Sequence, residues 1–352
     1  MSEQQRELEE IRQSLAKIDA HLREEMERRA RLSKRANELR GSEPAQLPPL
    51  ETMLESVLGK ASGDLPVESL RVIFRELIGA CLAIELPVKI AVIGPEGSAA
   101  SVAARQRFGA GATVLVHESA ASALAEVSAR RAEYAVLPLE AKTEGPVQPT
   151  IEALMSSELR IAAVESAPAT LHVMNKSGLL ADVNQVAGTV ADQTRAERFL
   201  ATLPEPMSLL DARSPLHACQ LAQQSAGTAA LVTEEVGTAQ GLKVARRNQE
   251  REEIRYAVVG GRPSSRTGRD ITALAFSVQD TPGALLGVLQ QFSERGINML
   301  TLQSHPEPGD GWNYLFFVEV DGHASDRALV TAFDGVKKAT RFFRVLGSYP
   351  AE

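Results

Sequence analysis

The apolar residues of this chain change their period at Val88. Before it they recur every three or four residues; after it they come in short β-rich runs separated by helical stretches. No single layer architecture accommodates both patterns, so an all-α part must precede an α/β part. Residues 7–40 hold neither glycine nor proline, and Leu8, Ile11, Leu15, Ile18, Leu22 and Met26 return at helical spacing. That spacing predicts an amphipathic helix of about 30 residues, ended by Gly41. Alone, such a helix exposes its stripe to water, so a bundle or dimer partner is expected. EPAQLPPLE reads as a proline-rich turn, a shorter helix follows to about Gly59, and VESLRVIFRELIGACLAIE makes a third amphipathic helix.

From Val88 the runs KIAVIG, TVLVH, YAVLPLE, LRIAAVE, TAALVT and IRYAVVG alternate with helical stretches such as ASALAEVSARRA and SPLHACQLAQQSA. Alternation of this kind predicts α/β lobes. GPEGS after KIAVIG is not GxGxxG, so no dinucleotide fingerprint is present. GRPSSRTGRD, residues 261–270, reads as a linker. ITALAFSV, PGALLGVLQQFSERG, INMLTLQSHP, WNYLFFVEVDG, ASDRALVTAFDGVKK and RFFRVLGSYP then follow the ferredoxin-like βαββαβ order. Pro282 suits a first helical turn, and Gly283 and Ala284 leave helix-start amides open to a small anion such as an amino-acid carboxylate. The plain alternative is an ordinary helix start in a structural module.

With 352 residues the chain is too long for one core and suggests two or three domains. A net charge of −7 argues against nucleic acid or an anionic membrane as main partner. Cys81 and Cys219 stand far apart, and the six histidines form no HxxxH or HxH pair, so no disulfide framework, metal site or cofactor is indicated. The charged N-terminus has no apolar signal core, and no run of ~18 apolar residues spans a bilayer. A cytoplasmic location is expected.

Taken together, an α-helical domain, an α/β domain opening on IGPEG, and a βαββαβ domain carrying PGAL and SHP resemble the bifunctional chorismate mutase–prephenate dehydratase family. TPGALLGVL, GINMLTLQSHP, WNYLFFVEVDGH and LGSYP are close to that family's ACT-domain pattern, and IFRELIGACLAIE and PLEAKTEGPV are further landmarks. The resemblance covers nearly the whole chain. It implies a chorismate mutase-like helical domain over residues 1–86, a prephenate dehydratase-like two-lobed α/β domain over 87–262 and an ACT regulatory domain over 263–352.

The mutase reaction is a pericyclic rearrangement that needs cations around two carboxylates and a breaking ether. Arg12, Arg29 and Arg40 fall where the family places two arginines and a lysine, and Glu85 matches a ligand-contacting Glu or Gln. Along one helix Arg12 and Arg29 lie ~25 Å apart, too far for chorismate to bridge. The resemblance therefore implies an interlocked dimer in which Arg12 enters the neighbouring subunit's site. Two departures stand out: Arg40 replaces a lysine, and the region of LPPLE lacks a further family arginine. Without the resemblance, the three arginines read as solvated charges on a long helix.

The charged run in EREEIRYAVVGG, residues 250–261, leads into the strand where the family keeps a threonine in Thr-Arg-Phe; here it reads Ile254-Arg255-Tyr256. The family's Asn-Ser pair after a glutamate is Ala141-Lys142 after Glu140, and its Thr-Phe-Ser after GPEG is Ser98-Ala99-Ala100. Arg255, Thr143, Glu144 and Gly145 persist, and Ser98 offers a hydroxyl. Dehydration with decarboxylation needs a proton donor at the leaving hydroxyl, and losing a general acid costs roughly 10²–10⁴ in rate. In the ACT domain, Gly283-Ala284-Leu285-Leu286 and Gln303-Ser304-His305-Pro306 match the motifs that enclose phenylalanine, with Gln303 and His305 replacing Glu and Arg.

Two readings stay open. One is an enzyme of phenylalanine synthesis: a mutase with lost or reduced dehydratase activity, or a cleft redirected to another prephenate reaction such as decarboxylation. The other is a non-catalytic, phenylalanine- or prephenate-binding regulatory paralogue. Either takes chorismate or prephenate as ligands and phenylalanine as effector, in a homodimer or higher homo-oligomer.

Overall fold

A computed structural model describes the chain except for residues 1–2, 41–49, 60–62, 86, 95–97, 110, 143–144, 205–206, 262–263, 280, 307–313 and 352. Its contacts divide into two compact units, Met1–Val88 with Arg105–Thr113 and Lys89–Ala104 with Val114–Glu352. Among the described residues no helix is long and apolar enough to cross a membrane.

The first unit is helical, with α1 (Glu3–Arg40), α2 (Leu50–Leu58) and α3 (Val67–Glu85). Most of the proline-rich turn between α1 and α2 lies outside the described residues. Leu54, Leu58 and Ile78 form the core between α2 and α3, flanked by Phe74 and Leu82. The C-terminal third of α1 faces α3: Ser33 is buried, and the Asn37 side-chain amide donates to the Ile84 carbonyl at 3.2 Å. Towards the other end, Leu8, Ile11, Leu15, Ile18, Leu22 and Met26 remain 39% to 55% exposed. One chain thus leaves most of the predicted apolar stripe uncovered. On α3, a Cβ on Gly79 would sit 2.9 Å from the Gly109 Cα, a close approach that only glycine permits.

From Lys89 the chain runs through β1 (Lys89–Ile93), α4 (Ala99–Phe108), β2 (Thr113–His117), α5 (Ala120–Ser128), β3 (Tyr134–Ala141), β4 (Gly145–Pro146), α6 (Gln148–Ser156) and β5 (Arg160–Pro168). The chain then crosses into β6 (Leu171–Asn175), β7 (Gln185–Gly188), α7 (Val190–Arg195), α8 (Glu197–Leu200), β8 (Ser208–Asp211), α9 (Pro215–Gln224), β9 (Thr228–Thr233), α10 (Glu234–Ala239) and β10 (Lys243–Arg246). It returns along β11 (Glu253–Gly260) and ends with β12 (Asp270–Ser277), α11 (Ala284–Ser293), β13 (Met299–Pro306), β14 (Tyr314–Asp321), α12 (Arg327–Ala339) and β15 (Phe342–Pro350).

β10-β6-β9-β7-β8 form one lobe's sheet, and β13-β14-β12-β15-β5-β11-β3-β1-β2 run in order across the other. All six strands read from the sequence in the α/β region are present. LHVMN, QVAG, SLLD and KVAR were not anticipated: strands of four or five residues are too short to display alternation. The last four strands have the ferredoxin-like order, with α11 and α12 over one face. Helix α11 starts at Ala284 rather than at Pro282; Gly283 caps it with φ 84°, a left-handed conformation suited to glycine.

The ferredoxin-like sheet is continuous with that of the first lobe. β15 pairs with β5 at Gly347 and Ile161, where a Cβ on Gly347 would collide with the Ile161 backbone. Leu315, Phe317, Leu346 and Tyr349 also share an apolar cluster with Leu137, Leu139 and Ile151 of the lobe. This shared core sets up the candidate site.

Candidate functional site

β3 and β11 are antiparallel, with Arg255 opposite Glu140. Facing positions put both side chains on one side of the sheet, and Arg255 Nη1 donates to Glu140 Oε2 at 2.8 Å. The same guanidinium reaches into the ferredoxin-like half. Nη1 donates to Glu319 Oε2 at 3.0 Å and Nη2 to Glu319 Oε1 at 2.8 Å, an end-on bidentate pair.

Glu319 lies on β14 between Val318 and Val320 and is 2% exposed. Thr301 on β13, opposite it in register, donates its hydroxyl to Oε2 at 2.9 Å, and the Tyr349 hydroxyl donates to Oε1. Burial raises the Glu319 carboxyl, but Arg255, Tyr349 and Thr301 outweigh burial and hold it below its ordinary value. Burial likewise works against the charge of Arg255, yet Glu319 and Glu140 keep the guanidinium firmly protonated. Tyr349 is pushed well above the usual phenol value, first by burial and then by Glu319. It therefore stays a donor.

Gln303, two residues beyond Thr301 on β13, completes the constellation by donating Nε2 to Glu140 Oε1 at 2.9 Å. Its own Oε1 is buried without a partner among the described residues. Two carboxylates thus face one guanidinium, leaving a local charge of −1. Arg255 has five N–H donors; three are committed, and the side-on edge of Nε and one Nη2 hydrogen has no partner among the described residues.

The remaining predicted residues fall elsewhere. Ile254 is buried between Ala141 and Ala167, its neighbours on β3 and β5. Ser98 precedes α4, where its hydroxyl accepts from the Ser101 N–H at 3.4 Å and donates to the Ile93 carbonyl at 3.3 Å. Gly145 has φ 79° and pairs with Ala141, while Thr143 and Glu144 lie outside the described residues. In the ACT motifs Gly283, Ala284 and Leu285 open α11, Leu286 is 59% exposed, and Ser304, His305 and Pro306 follow Gln303 along β13. Leu285 packs against the core of this half.

In the helical unit, Arg29 is half-buried, and its Nη1 is buried without a partner among the described residues. Arg12 is solvated and lies 3.9 Å from Glu9; Arg40 ends α1, and Glu85, half-buried, ends α3.

Arg251, Glu252 and Glu253 of the 250–261 run line a pocket of about 450 Å³ at the crossover between the lobes, with Thr170, His172, Glu234, Arg247 and Asn248 also in its wall. Thr170 Oγ1 accepts from the Glu252 N–H at 2.8 Å, His172 Nδ1 accepts from the Asn248 N–H at 3.1 Å, and Arg247 is paired with Glu234. Burial, followed by the charge of Arg247, lowers the His172 pKa. No group of three or more His, Cys, Asp or Glu side chains gathers as a metal site among the described residues.

Glu140, Thr301, Glu319 and Tyr349 were not identified as site residues from the sequence. The available signal was a lone glutamate flanked by valines in YLFFVEVD, a charge at a position that alternation assigns to the interior.

Comparison with known proteins accounts for this layout. Residues 90–263 match the prephenate dehydratase family model and 272–337 the ACT domain model. A bifunctional chorismate mutase/prephenate dehydratase of Aquifex aeolicus is 31% identical over 98% of each chain. A prephenate dehydratase of Arthrobacter aurescens, solved in complex with L-Phe, is 27% identical with a TM-score of 0.65, covering 75% of this chain and 90% of its own. A quorum-quenching acylase, GqqA, is 25% identical with a TM-score of 0.63 over 75% and 98%, so likeness of fold does not by itself fix the reaction. Relationship to the Aquifex enzyme extends through all parts of the molecule, helical unit included: the chain belongs to the bifunctional chorismate mutase/prephenate dehydratase family and ends in an ACT domain.

Proposed function

We propose that this chain isomerises chorismate to prephenate, dehydrates prephenate poorly or not at all, and binds phenylalanine through its ACT domain. Residues 1–86, 87–262 and 263–352 serve these roles in turn, in a cytoplasmic enzyme of phenylalanine biosynthesis that needs no cofactor. The observation that carries the reading is the contrast between its arginines. Arg29 keeps a buried Nη1, on the α1 face directed at α3, that has no partner among the described residues and would serve a ligand carboxylate or ether oxygen. Arg255 instead faces two carboxylates, beside a buried isoleucine where the family has its threonine. A dianionic prephenate meets net negative charge there and no hydroxyl at position 254 to protonate its leaving group.

The uncovered stripe on α1 supports a homodimer or higher homo-oligomer in which a second copy covers Leu8 to Met26 and carries its Arg12 towards Arg29. The L-Phe held by the Arthrobacter relative supports phenylalanine as effector. The test follows chorismate loss in the ultraviolet with the wild-type protein and with Arg29→Met. Turnover by the wild type and a kcat/KM lower by about 10²–10³ in the variant is the expected result. No turnover by either leaves a non-catalytic, prephenate- or phenylalanine-binding regulator, the reading favoured by the occupied Arg255.

A further inference from the structure

We propose that Glu319, contributed by the ferredoxin-like half, is the positioning residue for Arg255, and that Glu140 sets the charge Arg255 presents to a ligand. The inference deepens the reading above: the two carboxylates weaken prephenate binding at Arg255, whose side-on edge is still open among the described residues.

The two carboxylates play different parts because they approach the guanidinium differently. Glu319 is buried, is fixed by Thr301 and Tyr349, and grips the end-on edge through both Nη atoms. A planar fork held at two points cannot rotate, so the side-on Nε/Nη2 edge has one direction. That edge matches a carboxylate bidentately. Glu140 takes a single Nη1 hydrogen and is 26% exposed. It adds little to orientation, but a second negative charge about 4 Å from the guanidinium cancels attraction for an incoming anion. β13 holds both carboxylates from one side, Glu319 through Thr301 and Glu140 through Gln303. The strand bearing the ACT-domain motif therefore governs how Arg255 is aimed and how positive it is.

Two charge-equivalent, near-isosteric substitutions separate these roles, read by calorimetric titration of the full-length protein with prephenate. Glu140→Gln removes the charge and leaves the fork held; prephenate should bind about five- to tenfold more tightly. Glu319→Gln also removes a negative charge but opposes an amide N–H to a guanidinium donor, so the fork loses its hold and prephenate should bind several-fold more weakly. Thr301→Val loosens Glu319 without changing charge and should weaken binding in the same direction by a smaller factor. It stands in for Glu319→Gln if that variant fails to fold, as circular dichroism would show.

Opposite signs for Glu140→Gln and the Glu319 or Thr301 variant support the proposal. Equal signs, or no change in either, overturn it, because a purely electrostatic clamp tightens on both neutralisations and a purely structural one tightens on neither. Binding of prephenate by no variant overturns it as well. Failure of the mutase reading is seen separately, as unchanged chorismate.

Discussion

Arg29 and Arg255 are both half-buried arginines, and their surroundings are opposite. Arg29 lies on a helix face beside Ser33 and Asn37, neutral neighbours four and eight residues along, and its buried Nη1 has no partner among the described residues. Arg255 is held by Glu140 and Glu319, with Gln303, Thr301 and Tyr349 behind them. For Arg255 the end-on edge is filled, and only the side-on edge is open among the described residues. In the α/β unit Arg255 joins Glu140 of the first lobe to Glu319 of the ferredoxin-like half.

Substitution at the two arginines should break the symmetry most. Arg29→Met is expected to lower mutase kcat/KM by about 10²–10³, the typical effect of losing one preorganised donor at a developing charge, with stability changed by no more than about 0.5 kcal/mol. Arg255→Leu should do the reverse. It leaves Glu319 buried and unpaired, costing about 3–5 kcal/mol, read as a lower urea midpoint for the α/β unit with mutase turnover unchanged.

A smaller effect is expected from Ile254→Thr. The hydroxyl alone should raise phenylpyruvate formation by less than about tenfold, well short of the 10²–10⁴ of a competent general acid, because Glu140 and Glu319 still face Arg255. Adding Glu140→Gln to Ile254→Thr should raise it further. A full restoration by Ile254→Thr alone would mean that the clamp does not limit the cleft.

The smallest effects are in the pH dependence. His172 has a folded pKa below its ordinary 6.5, so the native state binds fewer protons than the unfolded chain. Its stabilisation is complete above 6.5 and falls as the pH drops below it, when protonation also abolishes the Nδ1 acceptor for the Asn248 N–H. His172→Gln should flatten the thermal midpoint between pH 7 and about 5.5, a range set by that ordinary value. Glu319, lowered from 4.5, acts in a separate window: its contribution is complete above 4.5 and disappears as the pH falls through the lower folded value. Glu319→Gln should remove only that more acidic part of the profile.

The fold was largely legible because its signals are local. The glycine- and proline-free run of 7–40 could hardly be anything but a helix, and the βαββαβ order of the last third is written in successive strand and helix periods. The uncovered stripe of α1 was legible too, since its spacing requires a partner whether or not one is present. What stayed hidden depends on distant pairs. Arg255 meets Glu140 across 115 residues and Glu319 across 64, and no motif spacing encodes such a meeting. Gln303 read as an effector residue because its motif surrounds it; its bond to Glu140 follows from the continuity of β15 with β5, fixed at Gly347. The interior glutamate of YLFFVEVD was the one local hint.

The most direct test of the account is product analysis. The purified protein is incubated with chorismate and the products are separated by chromatography, with and without phenylalanine. Prephenate should accumulate, with phenylpyruvate not keeping pace with it. Phenylpyruvate formed as fast as chorismate is consumed would contradict it, showing that Arg255 and the cleft around Ile254 still carry out dehydration.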